Sequence, residues 1–474
     1  MLFNSIDFAI FLPISFALYW LIGSSKPKAQ NWFLVFASYL FYGWWDWRFL
    51  TLISFSTIID YSLGQLMASK PNKKRLWLGL SIAMNIGLLG YFKYFNFFLD
   101  SLSTAFQLFG QPVAWRGMDI ILPIGISFYT FQTLSYTIDV YRDRIRPSNS
   151  LIEFAAYVSF FPQLVAGPIE RAKQLLPQFR QTRRFNYSQA AAGMRQILWG
   201  LFKKMVIADN CAMLVDEVFQ QPESHSPITL LLALVLFGFQ IYGDFSGYSD
   251  IAIGVAKLFG IQLMQNFRFP FFSRDIAEFW RRWHISLSTW FRDYLYQPLG
   301  GSKCSTLHTL RNVSIVFLVS GLWHGAQSTY IVWGALHNLL YLPLLHKNLR
   351  FRHRDSEPSL KLQSLAFMSV NFLLISYTWL YFRAPSLSFI KEYHQLVLFG
   401  HWEASLSFSK GGRIPLLMAL LLIFNLVEWV NRKEAFGLAR LPSSAFWRWL
   451  VYILLIFSIG AFYGQAQNFI YFQF

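Results

Sequence analysis

The chain has 474 residues, 55% of them hydrophobic and only 14% charged, where soluble domains carry about a quarter charged. With 50 Phe, 23 Tyr and 18 Trp it has too little polar surface to cover a water-soluble globule, and lipid is the solvent that tolerates such side chains outside. The net charge of +17 alone would suggest nucleic acid, but the Lys and Arg residues cluster between apolar runs as in cytoplasmic membrane loops, which excludes that partner.

A membrane-crossing helix takes about 20 mainly apolar residues. The first run, 4–22, has no basic stretch before it and no small-x-small cleavage site after it. It reads as a retained helix, not a cleaved leader. Further runs follow at 31–45, 48–68, 76–95, 119–140, 197–219, 228–257, 308–325, 329–346, 364–382, 413–430 and 446–464. Some are short or carry polar residues, so about 10–12 spans are expected. The fold class is therefore all-α: a polytopic integral membrane protein with re-entrant and interfacial helices. We read residues 1–474 as a single membrane-embedded domain, with N-terminal helices at 1–146, a catalytic core at about 147–346 and C-terminal helices at 360–474.

The basic clusters orient it. Lys26 and Lys28 follow the first run, Lys70, Lys73, Lys74 and Arg75 the third, and Arg142, Arg144 and Arg146 the fifth. Lys347, Arg350, Arg352 and Arg354 follow the ninth, and Arg432, Lys433 and Arg440 the eleventh. Every cluster follows an odd-numbered run, so simple alternation puts all of them on the cytoplasmic side and the N-terminus outside.

Two regions depart from plain spans. Residues 154–170, broken by Pro162 and Pro168, suit a re-entrant or interfacial segment. Residues 262–301, rich in Arg, Trp and Phe, suit amphipathic helices near the cytoplasmic interface. Outer loops are expected near 96–117 and 386–411. Cys211 and Cys304 form neither a zinc pattern nor a disulfide framework.

Ionisable groups are costly in a membrane protein, so they mark where chemistry could sit. His324 ends the run LVSGLWHGA, between Trp323 and Gly325, with Ser320 one turn earlier on the same face. Burial favours neutral imidazole, the form that accepts a proton from a hydroxyl. The bland alternative is a hydrogen bond to a neighbouring helix, and His337 is read mainly as a packing or interface residue. His284, in RDIAEFWRRWHISLSTW, sits among Trp280, Trp283 and Trp290, where a polar ring needs a reason. Nearby Arg281 and Arg282 suit a phosphate-bearing acyl carrier, although arginines beside an interface also snorkel. Gln240, Asp244 and Tyr248 make a polar stripe, and Gly243 and Gly247 a small-xxx-small pair for close helix packing. Asp244 either orients a buried His or serves helix–helix bonding. No G-x-S-x-G elbow, Walker loop, Rossmann fingerprint or H-E-x-x-H zinc pattern occurs, so no metal is expected. Nothing marks Ser320 as an activated nucleophile.

Longer stretches carry a resemblance: MLFNSIDFAIFLPISFALYWLI (1–22), ILPIGISFYTFQTLSYTIDVYR (121–142), FPQLVAGPIERAKQLLPQ (161–178), IYGDFSGYSDIAIGVAKLFGI (241–261), NFRFPFFSRDIAEFWRRWHISLSTWFRDYLYQPLGG (266–301) and GLWHGA (321–326). On these the chain resembles the membrane-bound O-acyltransferase family, in its bacterial alginate O-acetylation branch. Gly243 departs from the bulkier residue common there. The resemblance implies a helical enzyme with a central tunnel, His324 as the catalytic histidine and His284 on the reaction path. Arg281, Arg282, Trp283, Asp244, Ser320 and Trp323 are candidates for substrate or donor binding.

It also implies acetyl-CoA as donor and no bound cofactor. The acceptor is an extracytoplasmic polysaccharide hydroxyl, reached directly or through a secreted or periplasmic SGNH-type transferase, and the setting is a bacterial inner membrane. In this reading His324 removes the hydroxyl proton while His284 orients the donor carbonyl or stabilises the oxyanion. D-alanyl transfer to teichoic acid is the alternative within the family; the AGPIERAKQLLPQ stretch and the IYFQF tail look closer to the alginate branch. Lipid or sterol acylation fits less well. A transporter, which would predict repeat halves not seen here, and an export-complex scaffold are the alternatives of another class.

Overall fold

The computed structural model describes residues 1–110, 117–345, 357–402, 406–408, 411–463, 467, 469 and 470. The basic cluster Lys347–Arg354 and the last four residues of the IYFQF tail lie outside the described residues. The described residues hold helices and no strand. They fall into two compact units, Met1–Ala190 with Ala256–Met264, and Ala191–Val255 with Gln265–Phe474.

The first unit contains α1 (Ile6–Leu21), α2 (Pro27–Gly43), α3 (Phe49–Ser69), α4 (Lys74–Leu89), α5 (Phe95–Leu108), α6 (Ile126–Tyr141), α7 (Leu151–Ser159), α8 (Phe161–Leu164) and α9 (Ala172–Arg180). Ser5 caps α1 by accepting from the Phe8 N–H, with Asp7 in the first turn, where acidic groups favour the helix dipole. Asp60 of α3 is fully buried and accepts from Ser81 Oγ (2.7 Å) and Asn85 Nδ2 (2.9 Å) of α4. Asn85 Oδ1 in turn accepts from Thr133 Oγ1 of α6 at 2.9 Å. Three apolar helices are thereby registered by one polar cluster, since buried polar groups must find partners. Near the end of the unit, Glu170 accepts the Met264 N–H at 2.6 Å. Arg183 donates to Asn31 Oδ1 and Gln30 Oε1.

The second unit takes in most of α10 (Tyr187–Leu201), a π-helical segment Phe202–Ala208, α11 (Asp209–Gln220) and nearly all of α12 (Pro227–Leu258). It continues with α13 (Ile276–Arg282), α14 (Ile285–Phe291), α15 (Thr306–His324), α16 (Ser328–Tyr341), α17 (Leu362–Arg383), α18 (Leu387–Phe399), α19 (Ile414–Val430) and α20 (Ala445–Ala461). Helix α12 is its spine. The small-xxx-small pair acts as expected: a Cβ on Gly243 would lie 3.0 Å from the Lys203 carbonyl oxygen, and one on Gly247 2.8 Å from that of Gly200. Gly243, the departure from the family pattern, thus lies directly against the π-helical backbone, where a larger side chain would require the neighbouring segment to shift by a few tenths of an ångström.

Every apolar run of the sequence falls on a helix, 119–140 only from Ile126 onward. Among the described residues, four helical stretches are long and apolar enough to cross a membrane: 49–69, 71–108, 227–258 and 362–383. Three shorter apolar helices, Ile6–Leu21, Ile414–Val430 and Ala445–Ala461, accompany them. One detail differs from expectation, and the two regions set apart from plain spans take a definite form. The outer loops are partly helical, carrying α5 and α18, whose apolar residues alternate with Asn, Asp, Ser and Lys. Residues 154–170 form the short helices α7 and α8, too short to cross, with all of 154–170 buried. Residues 262–301 carry several short helices, in the plural as expected. They break at His284 into two seven-residue helices whose Phe279 and Leu287 are fully buried.

Candidate functional site

The site lies in the second unit. Asp275 caps α13 by accepting from the Glu278 N–H at 2.7 Å. Glu278 then receives Arg274 through Nε (2.9 Å) and Nη2 (3.0 Å), and Arg282 through Nε (3.2 Å) and Nη2 (3.0 Å). A carboxylate held by two guanidiniums at low exposure locks the short helix, which has too few turns to be stable on its own. The chain then turns at His284, whose backbone is left-handed at φ 42°. Such a conformation is costly for a residue with a side chain and persists only where its surroundings fix it. Here Asn266 supplies them: its carbonyl accepts the Ile285 N–H at 2.9 Å, and its Oδ1 lies 3.1 Å from His284 Nδ1.

His324 ends α15. The α15–α16 hairpin closes because glycines let the backbones touch. A Cβ on Gly321 would lie 2.3 Å from the Tyr330 carbonyl oxygen, and one on Gly334 2.4 Å from that of Phe317. The hairpin brings Trp333 of α16 edge-on to His324 at 5.1 Å, and α17 adds Phe382 at 5.3 Å.

The two imidazole centroids are 6.4 Å apart, and Trp323 sits 5.8 Å from one and 4.9 Å from the other. Phe245 of α12 meets His284 edge-on at 4.7 Å. His284 is fully buried and His324 3% exposed. Burial pushes the His284 pKa down to about 3, so the ring is neutral at physiological pH. A cavity of about 660 Å³ is lined among others by Trp280, Arg281, Ile285, Arg292, Phe317 and Ser320; neither histidine lines it, and Ile285 directly follows His284. Ser320 is one turn before His324, and both arginines are exposed. The arrangement sets two imidazoles within one aromatic enclosure, with cations at a cavity that reaches Ser320, one turn from His324.

The other sequence candidates divide. Trp323 joins the pair, and Ser320 and Arg281 line the cavity. Trp283 packs on Phe267, Phe279 and Trp379 and forms the wall behind His284. Arg282 is buried and engaged with Glu278 and Glu357, so it serves the scaffold. Asp244 is paired with Lys204 at 2.8 Å and accepts the Ile470 N–H at 2.7 Å. The group at His284 Nδ1 is Asn266, which sequence reasoning passed over. His337 has the packing role expected of it: it accepts from Trp280 Nε1 (3.2 Å) and so donates from Nε2 to Thr378 Oγ1 (3.0 Å). Phe245, Trp333 and Phe382 were also missed, because nothing local distinguishes a cage aromatic from a core one.

The model of the membrane-bound O-acyltransferase family matches residues 39–382. The chain is 40% identical over 444 residues to the Pseudomonas aeruginosa protein named "Probable alginate O-acetylase AlgI", covering 91% of this chain and 83% of that one. It is 37% identical to the "Peptidoglycan O-acetyltransferase" of Helicobacter pylori, over 82% of this chain and 78% of that one. It is 33% identical to the "Teichoic acid D-alanyltransferase" of Streptococcus thermophilus, over 46% and 55% respectively.

Proposed function

This chain belongs to the membrane-bound O-acyltransferase family and is a membrane-embedded O-acyltransferase; from that premise we propose that it acetylates an extracytoplasmic polysaccharide from a cytoplasmic thioester donor. The relatives with the broadest coverage bear names of alginate and peptidoglycan acetylation, both polysaccharide hydroxyl chemistry, while the D-alanyl relative matches under half of this chain. The observation that carries the reading is the pairing of His284 and His324, from separate segments, at 6.4 Å around Trp323.

In the proposed reaction the donor is acetyl-CoA. Its phosphates meet Arg281 and Arg292, and its thioester extends along the cavity toward Ser320. His324 takes the proton of the acceptor hydroxyl as that oxygen attacks the thioester carbonyl. The tetrahedral intermediate collapses, the C–S bond breaks, and the proton passes from His324 to the thiolate. Ester and thiol are the products, with no net proton change. Base catalysis gives about 10²–10⁴-fold and positioning adds more. His284 faces the same centre, its ring centroid 6.4 Å from that of His324. No bound cofactor takes part. We place the protein in a bacterial inner membrane, with its basic loops cytoplasmic and a periplasmic or secreted SGNH-type transferase finishing the delivery.

The test is His324→Ala in full-length protein, with acetyl transfer from acetyl-CoA and the amount of folded protein in membranes both measured. Transfer should fall by at least about 10²-fold at equal abundance, and full transfer by the variant overturns the role. Running the wild type with an aminoacyl carrier protein in place of acetyl-CoA checks the donor; transfer from the carrier alone would favour D-alanylation.

A further inference from the structure

Asn266 is fully buried, and its amide is fixed by its neighbours. The Ser286 backbone N–H points at Oδ1 (3.3 Å), Ser286 Oγ donates to the same atom (2.9 Å), and Nδ2 donates to Ser249 Oγ of α12 (3.1 Å). A backbone N–H only donates, so the atom facing it is the amide oxygen. That oxygen also lies 3.1 Å from His284 Nδ1. An amide oxygen has no hydrogen to give, so Nδ1 carries it, and in the neutral ring Nε2 holds the lone pair.

Resting on the acyltransferase reading above, we propose that Asn266 is a positioning residue that holds His284 in the Nδ1–H tautomer, so that His284 meets the reactants as a hydrogen-bond acceptor through Nε2. Its partner is then a second O–H of the acceptor sugar or the S–H of the departing thiol, since the attacking hydroxyl's one proton goes to His324. An oxyanion contact from Nε2, one of the two roles the sequence suggested, would need the opposite tautomer. The left-handed backbone at His284 serves the same end. Asn266 holds both sides of that residue, with its carbonyl on Ile285 and its side chain on the ring and on Ser286.

The surroundings define what else could titrate with the ring. His324 faces it from α15. Arg282, two residues earlier, is engaged with Glu278 and Glu357. Behind Asn266 lies a small polar cavity of about 10 Å³, room for about one water, lined also by Lys203, Asp250 and Glu428.

The experiment uses the full chain in nanodiscs with ¹⁵N-labelled histidine, together with the pH profile of acetyl transfer from acetyl-CoA. The wild-type His284 signals, assigned by their loss in His284→Gln, should show a protonated Nδ1 and a bare Nε2. Asn266→Ala should give a mixture of tautomers and lower kcat about tenfold or more, with KM within about twofold, since an orienting group acts on the step and not on binding. Asn266→Asp should keep Nδ1–H but, as a carboxylate, raise the basicity of the ring and move the acid limb of the profile up by about one unit or more. Ser249→Ala, which loosens the tether to α12 and leaves the His284 contact, should leave that limb in place. A wild-type spectrum with Nε2 protonated overturns the proposal. So do unchanged kcat and pH profile in both Asn266 variants when His284→Ala is inactive. Full transfer by His284→Ala and His324→Ala alike would instead overturn the catalytic reading, whatever the spectrum shows.

Discussion

The ring of Tyr330 fills the space in which a side chain at Gly325 would begin: a Cβ there would lie 2.1 Å from Tyr330 Cε2. Gly325 follows His324 directly, and Tyr330 packs edge-on to Phe382, one of the rings around that histidine. Gly325→Ala must therefore push Tyr330, and with it the cage. Overpacking of this kind costs about 1–3 kcal/mol. The variant should melt earlier and lose most of its transfer. Adding Tyr330→Ala should restore part of the lost stability, a coupling that double-mutant analysis of thermal unfolding in detergent would register.

The acidic limit of stability should depend on Glu278. Burial works to raise its pKa, but the hydrogen bonds and charges of Arg274 and Arg282 outweigh burial and hold it below the usual carboxylate range. A depressed carboxylate stabilises the fold above its unfolded pKa, near 4.5, and loses that contribution as pH falls through the lower folded value. Glu278→Gln leaves two low-exposure guanidiniums short of countercharge and should cost about 3–5 kcal/mol at neutral pH. Melting curves from pH 7 downward should show wild type falling steeply below about pH 4.5 and the variant already low and flatter.

Glu170 should behave in the opposite sense. Burial pushes its pKa up to about 8, with the Met264 N–H and Arg171 acting against the shift. A raised carboxyl favours the protonated folded form, so stability is full below about 4.5 and declines as pH rises toward 8. Glu170→Gln keeps the acceptor oxygen and removes the titration. Its stability should match wild type near pH 5 and exceed it at pH 8. Equal slopes for both proteins across that window would show that Glu170 stays ionised in the fold.

The class of fold was legible because hydrophobic runs need only counting, and each of them is helical. The two histidines were legible because a polar ring among tryptophans violates the local pattern. Asn266 was not: it lies 18 residues before His284, in a non-helical stretch where no periodicity relates the two. The surroundings of Arg282 were hidden for a related reason. The sequence displays a cation but not the two carboxylates, Glu278 and the distant Glu357, that engage it. Asp244 stayed between two readings likewise, since its partners are Lys204 and the distant Ile470 N–H.

That last contact should be needed for activity. Ile470 donates its backbone N–H to Asp244 Oδ2 at 2.7 Å, and the Gln467 carbonyl accepts from Lys204 Nζ at 3.1 Å. Between them Phe469, 2% exposed, stacks at a tilt 4.7 Å from Tyr248 and lies 6.5 Å from Phe245. Phe245 is the ring set edge-on against His284. Phe469 thus backs the wall that holds one imidazole, through an aromatic relay. Phe469→Ala should cost about 3–5 kcal/mol and lower kcat, because Phe245 gains room to move, while Phe469→Leu should recover most of the stability. Deleting residues 467–474 should do more, since Asp244 loses a donor in a buried setting where an unmet carboxylate is expensive. Thermal unfolding and acetyl transfer measured on the same preparations decide the matter: a truncated chain with wild-type melting and wild-type kcat would mean that α12 alone fixes Phe245.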